Sequence, residues 1–142
     1  MKLHLIVSLV FLPGVLSLAL DCSDFGSHSH HATGTGYYPD DSPIEGGYVD
    51  VRDHPLHTLQ EFLAGSAPYV SVAMDEHLRI PYGTQICIKE LNQKYHKFIV
   101  FKVVDTGPAF TNKGYSRIDI CVRDEHASYD DTINGPLTLV FK

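Results

Sequence analysis

From Tyr69 onward the chain repeats with a period of two, and that alternation limits what it can fold into. Val70, Val72 and Met74 share one face of the stretch Tyr69–Asp75, and Ile86 and Ile88 oppose Gln85, Cys87 and Lys89 within Thr84–Leu91. Ile118, Ile120 and Val122 alternate with Asp119 and Cys121, and Leu137–Phe141 closes the chain. Such alternation puts apolar side chains on one face of a strand. Phe98–Val104 is almost continuously apolar, which predicts a strand buried on both faces. Ahead of the strands, Leu56, Leu59, Phe62 and Leu63 recur at helical spacing. Pro55 fits the first turn and Gly65 the stop, so a short amphipathic helix over 55–63 is predicted to cover one side. The Gly-, Pro-, Tyr- and Asp-rich run Thr33–Gly47 reads as loop with at most one short strand. Five short strands and one helix predict a mainly β chain folded into a small closed or nearly closed barrel.

The N-terminus has a different character. Met1-Lys2, an apolar run from Leu5 to Leu12 broken by Pro13-Gly14, and small residues at Ser17 and Ala19 read as a secretory signal peptide cleaved after Ala19. The run is short for a membrane span, and no later segment is apolar enough, so no stable membrane insertion is expected. The expected division is a signal peptide at 1–19, a flexible Ser/His-rich arm at 20–32 and one barrel domain at 33–142. The expected location is extracellular, or periplasmic in a bacterium. In that oxidising setting Cys22, Cys87 and Cys121 allow one disulfide, and all three pairings are open.

Charge narrows the partners. Eleven Lys and Arg against 17 Asp and Glu give a net charge of −6. That balance argues against nucleic acid, which demands clustered basic residues. No P-loop, dinucleotide fingerprint or Gly-x-Ser-x-Gly elbow occurs, and no cofactor is expected. His28, His30 and His31 lack a carboxylate or cysteine at fixed spacing, so no metal site is expected, and the other histidines read as surface residues. A monomer is expected.

Three aspartates carry the chemical signal. Asp75 ends Val-Ala-Met-Asp, Asp105 ends Phe-Lys-Val-Val-Asp, and Asp119 lies inside Arg-Ile-Asp-Ile-Cys. A carboxylate in apolar sequence is unfavourable unless paired or hydrogen-bonded, so each has a reason to be there. A cap on a turn is one such reason; a site is the other. Clustered carboxylates repel, so one keeps its proton to higher pH and can serve as a general acid. Cleaving a glycosidic bond requires such an acid. Asp105 is the candidate, because the Thr106-Gly107 turn after it offers backbone donors and close approach, with Asp119 and Asp75 tuning or orienting it. Tyr37 and Tyr38, set among glycines, are expected to stack sugar rings, with Tyr82 and Phe110 extending that surface.

The segments Ser71–Asp75, Ile80-Pro-Tyr-Gly-Thr84, Val104-Asp-Thr-Gly107, Phe110, Gly114 and Arg117–Ile120 resemble the three-aspartate domain. That domain forms the barrel of the membrane-bound lytic murein transglycosylase A family, in a superfamily with rare lipoprotein A, barwin, expansins and family 45 endoglucanases. Thr35-Gly-Tyr-Tyr-Pro39 resembles the segment preceding the barrel in those transglycosylases, so the likeness spans residues 33–142. It implies a six-stranded double-psi β-barrel with one or two short helices. It also implies peptidoglycan cleavage with Asp105 as the single acid/base, Asp119 beside it and Asp75 completing the trio. Substrate contacts are then expected from Tyr37, Tyr38, Thr84, Thr106, Gly107 and Phe110. The thirty or so residues between Tyr38 and Tyr69 leave no room for that family's second groove wall. The alternatives are a non-catalytic expansin-like glycan-binding module and a barwin-like defence or inhibitor protein.

Overall fold

The computed structural model describes residues 19–41 and 47–142; the signal peptide expected at 1–19 lies outside them except for Ala19. The chain is mainly β: six strands close into a mixed barrel, with two short helices outside. The strands are β1 (His28–Tyr37), β2 (Val70–Ala73), β3 (Thr84–Ile88), β4 (Phe101–Asp105), β5 (Arg117–Cys121) and β6 (Pro136–Phe141). Around the barrel they run β1-β5-β2-β4-β3-β6. Two pairs are parallel, β1 with β5 and β2 with β4; the other four are antiparallel. The alternating residues behave as the period predicts. Val72, Ile86, Phe101, Ile118, Ile120 and Leu139 all point inward and are inaccessible to solvent or nearly so.

β1 departs from expectation. Residues 28–32 form the first half of this strand, where a flexible arm is predicted. Ser and His are weak strand formers, but here main-chain pairing decides. The first half runs antiparallel to β6, with Ala32 opposite Leu137, and the second half runs parallel to β5, with Tyr37 opposite Cys121. Gly34 sits where the two halves meet. Its N–H donates to Gly135 O at 3.1 Å, and a Cβ there would lie 2.1 Å from Ile133 O. Only glycine lets the backbones approach so closely.

The helices also differ. α1 covers only Leu59–Leu63, not 55–63. Thr58 starts it, its hydroxyl accepting the Glu61 N–H at 3.1 Å, while Pro55 forms an isolated bridge with Val49. α2 (Lys89–Tyr95) takes the end of the predicted strand Thr84–Leu91. Its buried Asn92 accepts the Ile99 N–H at 3.0 Å and so anchors the helix to the entry of β4. β4 is not buried on both faces throughout: Phe101 and Val103 face inward, and Lys102 reaches out to lie 4.8 Å over the Tyr69 ring.

Of the three possible cysteine pairings, Cys22–Cys87 is the one formed, and Cys121 is free and buried. β3 and β5 are not neighbours in the barrel, which separates Cys87 from Cys121. Among the described residues no helix is long and apolar enough to cross a membrane. The disulfide ties residues 65 apart in sequence and pins the segment leading into β1 against β3. Replacing both cysteines by serine is expected to lower stability by about 2–4 kcal/mol, measured as a fall in the denaturant midpoint at an unchanged slope.

Candidate active site

The central feature is a register shift. β2 and β4 pair residue for residue from Val70 to Val72, and then a bulge between Val72 and Ala73 brings Asp105, not Val104, opposite Ala73. Bulges redirect side chains. On its other side Ala73 pairs with Asp119 of β5. Residues in register share a face of the sheet. Asp105 and Asp119 therefore flank the small Ala73 on the outer face, with Thr35 opposite Asp119 on β1.

Asp105 is half-buried. Burial pushes its carboxyl up from 3.8 to about 6; the Asp50 carboxylate pushes the same way, and the Thr106 N–H, donating to Oδ1 at 3.0 Å, resists. Asp119 is also raised, first by burial, against the opposing pull of its bonds from Thr35 Oγ1 and Arg117 Nε. Asp75 behaves oppositely. It is buried and accepts the His77 N–H at 3.0 Å and the Gly114 N–H at 2.9 Å, which lower its carboxyl below the ordinary value. Asp75 caps the 3-10 turn Glu76–Leu78 and ties it to the 3-10 turn Gly114–Ser116 before β5. It is the turn-capping alternative realised.

Three carboxylates bear on one buried hydroxyl: Asp105, Asp119 and Asp50. All three act on the Tyr37 hydroxyl, which burial, the Cys121 thiol and these charges together push well up. Asp50 is the residue that the sequence reading missed, although Tyr48-Val49-Asp50-Val51 has the same apolar setting that singled out the other aspartates.

Beside Asp105 lie two neighbouring pockets that together form a trough. A pocket of about 160 Å³ is walled by Asp105, Tyr82, Val51 and Ile80 among others, and a wider one of about 380 Å³ by His77, Gly107, Pro108 and Thr111. Asp75, Glu76 and Thr106 line both. Thr106 Oγ1 is buried on this wall with no hydrogen-bond partner among the described residues.

The expected aromatic platform does not form. Tyr37 is 8 % and Phe110 3 % exposed, and both pack with Leu56, Ala73 and Cys121 on the outer face. Neither can stack a sugar ring. Tyr38 packs partly buried against the core. Thr84 lies elsewhere, in a separate pocket of about 250 Å³ with His28, His30 and Arg79, and its hydroxyl donates to Pro81 O at 2.6 Å. Of the expected contact residues, Thr106 and Gly107 line the trough. Among the described residues no group of three or more His, Cys, Asp or Glu is placed to hold a metal ion. No protein-family model matches the chain, and no curated protein matches it.

A carboxyl held protonated by the fold destabilises the fold once it ionises. The contribution of Asp105 is fully present below its unfolded value near 3.8 and is lost as pH rises through about 6. Asp105→Asn is therefore expected to stabilise the protein at pH 7 by about 1–2 kcal/mol, after allowance for its partial exposure. At pH 4 it should change little. Denaturant unfolding of both proteins at the two pH values measures the difference.

Proposed function

We propose that this chain is a secreted glycan-cleaving enzyme with Asp105 as its acid/base and peptidoglycan as its substrate. One observation carries the reading: a half-buried carboxyl, raised to about 6, on the wall of an open trough. A general acid works best when its pKa lies near the working pH. The resemblance to the three-aspartate domain supplies the substrate. The Cys22–Cys87 disulfide and the leader-like N-terminus support export.

In this reading protonated Asp105 gives its proton to the oxygen linking N-acetylmuramic acid to the next sugar as the bond from the muramyl C1 breaks. The Asp105 carboxylate then takes the proton of the muramyl C6 hydroxyl while that oxygen bonds to C1. The products are a 1,6-anhydro end and a free hydroxyl on the leaving sugar. Thr106 and Gly107, which line the trough, meet the glycan backbone in this reading. Asp119 supports the outer face from β5, and Asp75 holds the loops beside the trough. Water in place of the C6 hydroxyl would instead give the ordinary reducing ends of a hydrolase.

A non-catalytic binding module, expansin-like or barwin-like, is the second reading. Tyr48, Val49 and Val51 favour it, because they are exposed large apolar side chains and Val51 borders the trough.

The test is to incubate the chain from residue 20, with and without Asp105→Asn, on purified peptidoglycan and to identify the soluble products by mass spectrometry. Anhydro-muropeptides are expected, with a rate lower by about 100-fold or more in the variant. The wild-type rate should fall as pH rises above about 6, where Asp105 loses its proton. Products absent from both proteins, with both still sedimenting with the glycan, would leave the binding reading.

A further inference from the structure

Asp50 is 5 % exposed and belongs to no strand. Its Oδ1 accepts the N–H groups of Arg52 at 2.8 Å and His54 at 3.1 Å, closing the turn over residues 50–54. An aspartate that served only this turn would need no more than that oxygen. Its Oδ2 instead accepts the hydroxyl of Tyr82, 32 residues away. With that hydroxyl's proton directed to Asp50, His54 Nδ1, 3.1 Å from Tyr82 Oη, must be the donor of its own contact. The Arg52 guanidinium lies 4.2 Å from the centre of the Tyr82 ring. The turn is also fixed to the barrel. The Val51 N–H reaches the carbonyl of Val104, the residue before Asp105, at 3.4 Å. Val51, Tyr82 and Asp105 line the same pocket.

We propose that Asp50 is a positioning residue of this site: through the 50–54 turn and Tyr82 it builds one wall of the trough and sets a fixed carboxylate behind it. The inference rests on the reading of Asp105 as the acid. It gives Asp50 a second effect, because a negative charge there favours the protonated form of Asp105. Asp50 is faced by Arg52, His54 and Tyr82 from the turn and β3's approach, and it acts on Tyr69 as well. Across the pocket Asp105 meets Asp75 and Glu76, and on its buried side it acts on Tyr37 and Cys121.

Two variants separate wall from charge. Asp50→Asn keeps an acceptor oxygen for the turn and removes the charge; Tyr82→Phe keeps the charge and removes the tether. Carbon-13 NMR of the aspartate carboxyls in the chain from residue 20 follows Asp105 through pH in each protein. The Asp105 midpoint is expected to move below its wild-type value in Asp50→Asn, with the high-pH limb of any glycan-cleaving activity moving the same way, and to stay put or rise in Tyr82→Phe. An unchanged midpoint in a folded Asp50→Asn protein overturns the proposal. Should that variant fail to fold, Tyr82→Phe decides: the Val51 amide is expected to exchange faster with deuterium, and unchanged protection overturns the proposal. The difference between proteins tests Asp50. The wild-type midpoint tests Asp105, and a value near 4 would contradict the acid assignment by itself.

Discussion

Closure of the barrel depends on one strand that pairs in two directions. β1 gives its first half to β6 and its second half to β5, and without it the sheet would have two open edges. The join is possible because Gly34 has no side chain to collide with Ile133 O. Closure also fixes the chemistry. The end of β1 brings Thr35 and Tyr37 alongside Asp119 and Cys121, so that the outer face of β5 is lined from one side by the strand that seals the barrel. The disulfide holds the segment before β1 against β3, next to β6, and supports the same closure from the other end.

The site is a local departure from that regular frame. One bulge after Val72 moves the register by a residue and turns Asp105 outward beside Ala73, half-buried, in place of the apolar Val104. A carboxyl so placed is unfavourable when ionised, and the fold answers with a single backbone donor, the Thr106 N–H. Asp75 received two backbone donors and a histidine neighbour and is held ionised. Asp105, at the end of β4, and Asp75, just past the end of β2, thus lie on opposite sides of the ordinary value, because burial dominates at Asp105 and backbone N–H donors dominate at Asp75, a separation of the kind that acid/base sites use.

Much of this was legible in the residues. Period-two alternation and the apolar run Phe98–Val104 located five strands and pointed to a closed or nearly closed barrel, while the count of six strands came only as what the resemblance implies. The unusual settings of Asp105 and Asp119 marked the face on which they lie. What was not legible depends on partners distant in sequence. The strand character of His28–Ala32 comes from β6, more than a hundred residues later. The burial of Tyr37 and Phe110 comes from Leu56 and Cys121, so glycine-rich surroundings misled about their exposure. α2 was hidden because the alternation of Thr84–Ile88 runs directly into Lys89 without a turn residue between them. Asp50 satisfied the rule that found its fellows but sat between the loop read over Thr33–Gly47 and the helix predicted over 55–63, in residues to which no element was assigned.

The central claim is that a glycan occupies the trough beside Asp105. Titrating soluble peptidoglycan fragments into the isotope-labelled Asp105→Asn protein, and following backbone amides by NMR, tests it most directly because the ligand survives. The account predicts saturable shifts concentrated at Val51, Asp75, Glu76, Thr106, Gly107 and Thr111, which are among the residues that wall the two parts of the trough. Shifts confined to the separate pocket around His28, Arg79 and Thr84, or no shifts at all, would contradict it.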